Sequence, residues 1–195
     1  MVRPAPRAGG DVGLIGRLGD RGPRPAPLLV TALLPPDILS WADTLRREHY
    51  PPERNRLAAH VTLFHGLPPS AGREIRAALA EAAAANPPPA AQIAGIMAMD
   101  RGTALKVASH ALVVIHENLA ERFHGLLSWQ DSHPLVLHIT VQNKVSPEAA
   151  RRLQADLKAT LKPRKFAFPG LALHLYRDGL WEFVQSWRFR GAKGG

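Results

Sequence analysis

The feature that most constrains this chain is a four-residue pattern that occurs twice. His60-Val61-Thr62-Leu63 and His138-Ile139-Thr140-Val141 each read histidine, aliphatic, threonine, aliphatic. In a strand, successive side chains point to opposite faces. The histidine and threonine of each motif therefore share one face, and the two aliphatic residues take the other. Each strand buries its aliphatic side and presents an imidazole and a hydroxyl outward. The surroundings repeat as well. Each motif is followed by a proline-containing turn, a helix, a proline break and a hairpin, and the hairpins share lettering: GIMAMDRGTALKV from Gly95 and GLALHLYRDGLWEFV from Gly170. A repeat with one copy of each element per half implies a duplicated α+β unit. The expected fold is bilobal, with two antiparallel sheets facing a central cleft and helices packed on the outside.

Hydrophobic periodicity places the remaining elements. Strand signals run over Leu28–Leu34, Ala59–Phe64, Ile93–Met99, Ala104–Ala108, Val136–Val145, Leu171–Tyr176 and Trp181–Trp187. Helices are expected from Asp37 up to Pro51-Pro52, after a capping Ser70, after Ser109, and from Ser146-Pro147-Glu148. The last of these joins a capping serine, a first-turn proline and an acid near the positive helix end. After Ser109, the run Val113-Val114-Ile115 leaves a strand possible. Asp100-Arg101-Gly102 and Arg177-Asp178-Gly179 read as hairpin turns. Residues 1–27, rich in Gly, Pro and Arg without a period, are read as a flexible leader outside the fold, and 191–195 as a tail. Residues 28–190 then form one domain of two pseudo-symmetric lobes.

Composition narrows the class. With no cysteine in 195 residues, disulfides and thiolate metal sites are excluded, and a reducing cytoplasm is expected. No apolar run approaches the ~20 residues of a membrane span, so no membrane association is expected. The net charge of +9 is concentrated at the two ends, where Arg3, Arg7, Arg17, Arg21 and Arg24 stand at one and Arg188, Arg190 and Lys193 at the other. A mild excess of this kind suits a polyanion, though basic tails also serve solubility alone.

The paired motif suits phosphodiester chemistry. One group must take a proton from the nucleophile and another must protonate the leaving oxygen. Histidine, with an ordinary pKa of ~6.5, can do either near neutrality. Threonine hydroxyls can donate to the non-bridging oxygens. One match to the motif would be weak evidence, whereas two at equivalent places in a repeat are specific. Strand alternation puts Phe64 on the His60 face, where it could stack on a base, although an aromatic there more often rims a core. Gln142 and Lys144 fall on the His138 face, where Lys144 could hold a substrate phosphate. His65 falls on the opposite face from His60, which argues against a shared metal. His116-Glu117 resembles the start of a zinc-protease helix, but Ala120 stands where a second histidine is needed. His49, His110, His124, His133 and His174 read as surface or structural histidines, and His133 sits where it could line the cleft.

The doubled motif, HVTL at 60–63 and HITV at 138–141, together with PPDILSWADTLRREHYPP, HVTLFHGLPPS and HITVQNKVSP, resembles the two-histidine (2H) phosphoesterase superfamily. The nearest branch is the bacterial 2'-5' RNA ligase and RNA 2',3'-cyclic phosphodiesterase type, over about residues 28–190. The resemblance implies catalytic His60 and His138, with Thr62 and Thr140 on the phosphate. It implies opening of a 2',3'-cyclic phosphate to a 2'-phosphate, with reversible 2'-5' joining in some members. The expectation is a monomeric enzyme without metal or other cofactor, acting on RNA ends or a small nucleotide. Two alternatives stay open: a binding module of the same fold without turnover, and a phosphodiesterase for another 2'-linked or cyclic nucleotide.

Overall fold

A computed structural model describes residues 26–192; the leader reading, apart from Ala26 and Pro27, lies outside the described residues. Strands β1 (Leu28–Ala32), β2 (Val61–Leu67), β3 (Ala90–Met99), β4 (Gly102–Ala108), β5 (His138–Asn143), β6 (Arg164–Ala167), β7 (Gly170–Arg177) and β8 (Leu180–Arg188) are interspersed with four helices. These are α1 (Pro36–His49), α2 (Gly72–Ala85), α3 (His110–Arg122) and α4 (Pro147–Thr160). The strands make two four-stranded antiparallel sheets, ordered β2-β1-β7-β8 and β5-β4-β3-β6. The fold class is the one expected.

The helix ends follow local chemistry. α1 opens on Pro36, carries Asp37 in its first turn and Arg46, Arg47 and His49 in its last, matching the helix dipole. It stops at Tyr50, which precedes a proline and is extended. Ser109 and Ser146 cap α3 and α4, accepting from Leu112 N at 3.4 Å and Ala149 N at 3.2 Å. Val113–Ile115 is therefore helical: a cap and the buried Leu112, Ile115 and Leu119 outweigh the β-branched run. Ser70 does not cap α2. It sits inside a 3₁₀ turn, Pro69–Ala71, that leads into the helix. The short edge strand β6 carried no sequence signal, because RKFA has almost no apolar alternation.

The two halves exchange their hairpins. The β3–β4 hairpin that follows the first motif joins the sheet of the second, and β7–β8, which follows the second, returns to the sheet of the first. A glycine begins the central strand of each hairpin at a tight approach. A Cβ on Gly102 would lie 2.4 Å from Gln142 O, and one on Gly170 would lie 2.3 Å from Trp187 O. One apolar cluster runs through both lobes, from Leu28, Val30 and Leu63 to Ile93, Leu105 and Ile139. β2 and β5 are edge strands of their own sheets and lie against each other. α1 packs on β5, and the buried Arg46 reaches across to Thr140 O at 2.7 Å. The motif strands thus form the seam between the lobes.

Candidate active site

Each motif strand carries a bulge at the same place. From Thr31 to Val30 β1 advances one residue while β2 advances two, from Thr62 to Phe64, so Leu63 is extra. From Ala104 to Thr103 β4 advances one while β5 advances two, from Thr140 to Gln142, so Val141 is extra. A bulge resets the alternation of the residues beyond it. Phe64 is accordingly fully buried, stacked on His116 at 4.7 Å and edge-on to Phe123. Gln142 is buried too, accepting a hydrogen bond from Thr103 Oγ1 at 3.2 Å. Neither residue faces the cleft, contrary to strict alternation. Lys144 lies just past the strand in a left-handed conformation (φ 59°), exposed and not among the residues that line the cleft. The residues that do reach the cleft are one position further along: His65 and Asn143.

The cleft, about 240 Å³, is lined by His60, Thr62, His138 and Thr140, together with Arg46 and Trp181 among others. The four motif residues are all partly exposed. The two histidines are held alike. His60 Nδ1 donates to Ala58 O and His138 Nδ1 to Val136 O, each at 2.7 Å, and each partner is two residues upstream. A carbonyl can only accept, so Nδ1 carries the proton in both rings. Nε2 is left without a protein partner among the described residues, as are the hydroxyls of Thr62 and Thr140. Two imidazoles in one tautomer and two free hydroxyls thus line one small cleft.

Electrostatics distinguish His60. Burial pushes its imidazole down to about 4 against the raising effect of the Ala58 carbonyl, and the nearby positive charge of Arg46 adds to the depression. Trp181 supplies part of the cover, with ring centroids 4.4 Å apart. Arg46 is itself buried. It donates to Asn55 Oδ1 and Leu57 O at 2.9 Å each and lies over the Tyr50 ring at 4.6 Å. Burial lowers its pKa, but a guanidinium stays charged at any ordinary pH. Arg46 and Trp181 come from α1 and β8, remote in sequence from either motif. Beyond His60 a second hollow of about 380 Å³ is walled by Trp181, Phe183, His174 and Leu34, with Arg56 at its side. Among the described residues, no group of three or more His, Asp or Glu side chains could hold a metal ion, and no helix is long and apolar enough to cross a membrane.

Two lobes meeting at paired HxTx strands are the arrangement expected of the 2H phosphoesterase superfamily. The 2'-5' RNA ligase superfamily model matches residues 34–180, and the chain belongs to that family. No curated protein sequence is significantly similar to it. Among solved structures, TT0787 of Thermus thermophilus superposes with a TM-score of 0.61 at 17% identity, covering 86% of this chain and all of that one. A protein described only as a phosphoesterase gives 0.58 at 16% identity, over 85% of this chain and 99% of its own. E. coli LigT complexed with 3'-AMP gives 0.56 at 18% identity, again over 85% and 99%. At these identities the structures speak to the fold.

Proposed function

We propose that this protein opens 2',3'-cyclic phosphates of RNA ends or nucleotides to 2'-phosphates, using His60 and His138 as an acid–base pair. The observation that carries this reading is the shared cleft in which both imidazoles are locked at Nδ1 and free at Nε2. In the proposed step a water oxygen attacks phosphorus and gives up its proton to one imidazole. The bond from phosphorus to the 3' oxygen breaks, and the other ring, entering the step as an imidazolium, donates its Nε2 proton to that oxygen. Thr62 and Thr140 donate to the non-bridging oxygens as charge builds there, and Arg46 adds positive potential from beneath the cleft.

His60 is assigned as the base. Its depressed pKa keeps it unprotonated at neutral pH, ready to accept the proton of water. His138 is then the acid. If a ribose 5'-hydroxyl attacks in place of water, the same step forms a 2'-5' linkage. The aromatic wall of Trp181 and Phe183 offers a nucleobase a stacking surface. That E. coli LigT has been crystallised with 3'-AMP, ATP and NADP+ supports a nucleotide-sized occupant.

Phosphorus NMR of a 2',3'-cyclic nucleotide incubated with the protein tests the reading. A 2'-phosphate product, lost in His60→Ala and His138→Ala, is expected. A 3'-phosphate product, or full turnover in either variant, overturns it.

A further inference from the structure

The bulge that buries Phe64 also brings His65 to the cleft side. Its Nδ1 donates to Asp131 Oδ1 at 3.0 Å. The Asp131 side chain is only 1% exposed, and it also accepts from His65 N at 2.8 Å, Gly66 N at 3.1 Å and Ser128 Oγ at 2.8 Å. Burial alone would raise this carboxyl, but those hydrogen bonds outweigh it and hold the group below the usual carboxylate range. A carboxylate that accepts four hydrogen bonds fixes the ring so that Nε2 is the nitrogen left over. His65 itself is 35% exposed.

His65 lines the catalytic cleft and also a second pocket of about 300 Å³ that continues from it past Thr62 and His138. His133 also lines that pocket. Its Nδ1 donates to Trp129 O at 2.8 Å, and its ring lies edge-on to Trp129 at 4.5 Å. The two imidazoles repeat the device of the motif pair: Nδ1 is tied to a protein acceptor, and Nε2 has no partner among the described residues. Gln130 adds an amide, while Met97, Pro134 and Leu135 make apolar walls. As imidazolium cations the two rings would donate from Nε2 to phosphate oxygens, Gln130 can add an amide N–H, and the apolar walls suit a sugar or base. The volume is at the lower end of the ~300–1,000 Å³ typical of small-molecule sites. A cyclic mononucleotide has no second phosphodiester to place there.

We propose that the pocket lined by His65 and His133 binds the phosphate and nucleoside next to the cyclic end, so that an oligonucleotide terminus, rather than a mononucleotide, is the preferred substrate. This rests on the phosphodiesterase reading for which linkage is cut, though its binding consequence can be measured without turnover. His65 and His133 contact the adjoining phosphate, and Asp131 is a positioning residue for His65.

The test compares a mononucleoside 2'-phosphate with a dinucleotide ending in a 2'-phosphate, by calorimetry, and the matching cyclic forms by kcat/KM. The dinucleotide is expected to bind at least about tenfold more tightly. That advantage should fall below about threefold in His65→Ala, Asp131→Asn and His133→Ala, with the melting temperature followed in each. His133 is exposed, so its variant keeps the test valid even where loss of His65 unsettles the buried Asp131. Equal affinity for the two ligands, or an advantage undiminished in His133→Ala and a folded His65→Ala, overturns the proposal. Turnover of both cyclic forms without dinucleotide preference removes the pocket and leaves the hydrolase. Histidine-dependent dinucleotide preference with no turnover leaves the pocket and removes the hydrolase.

Discussion

If His60 is the base and is held near 4, its protonation state sets the acidic limb of the kcat/KM profile. At pH 5 a group with a pKa of about 4 is roughly 90% unprotonated, whereas one at 6.5 is roughly 3% unprotonated. The wild-type protein is therefore expected to keep most of its plateau kcat/KM at pH 5. A phosphodiester substrate stays anionic throughout and contributes no limb of its own. Trp181 covers the His60 ring, so Trp181→Ala should rehydrate it and move its pKa from about 4 toward 6.5. The shift stops short of 6.5, because Arg46 remains beside the ring. NMR titration of the His60 ring proton, assigned by its loss in His60→Ala, reads the pKa directly, and steady-state rates from pH 3.5 to 8 read the limb. A wild-type His60 titrating near 6.5, or an acidic limb that Trp181→Ala does not move, refutes both the burial argument and the base assignment.

The same depression makes stability depend on pH. The folded chain resists a proton that the unfolded chain accepts. The contribution of His60 is complete above 6.5 and is lost as pH falls from there through about 4, by up to about 3 kcal/mol, which urea unfolding of wild type and His60→Ala across that window measures. Phe64→Ala should destabilise by about 3–5 kcal/mol in chemical denaturation while the folded fraction keeps its kcat, since the ring lies in the core. Arg46→Met strips three hydrogen bonds from Thr140 O, Asn55 and Leu57 O, and should lower stability by about 3 kcal/mol or more and reduce kcat/KM, seen by melting and by rate. Thr62→Ala and Thr140→Ala should each lower kcat by about tenfold to a hundredfold with little change in melting temperature.

The two motifs, the sheet-and-helix pattern and the duplication were legible because they depend on local alternation and local capping. Placement of His60, Thr62, His138 and Thr140 together in one cleft follows from that alternation once the lobes meet at β2 and β5. Alternation failed one residue later. The bulges at Leu63 and Val141 are marked by no glycine or proline, and each extra residue is an ordinary aliphatic, so nothing local announced that Phe64 and Gln142 would turn inward. The same slip hid His65 and Asn143. Arg46 and Trp181 were out of reach for another reason. Their places depend on tertiary packing of α1 on β5 and on the return of the β7–β8 hairpin to the first sheet. The repeat itself suggested two self-contained halves, and only the strand order reveals that the hairpins cross over.

A crystal structure of the protein with a uridine–vanadate complex, a trigonal-bipyramidal mimic of in-line displacement at phosphorus, tests the central claim most directly. The account predicts Nε2 of His60 and Nε2 of His138 within hydrogen-bond distance of opposite apical oxygens of one vanadate, with both threonine hydroxyls on its equatorial oxygens. A vanadate held by only one of the two imidazoles, or bound outside the cleft between β2 and β5, would contradict it.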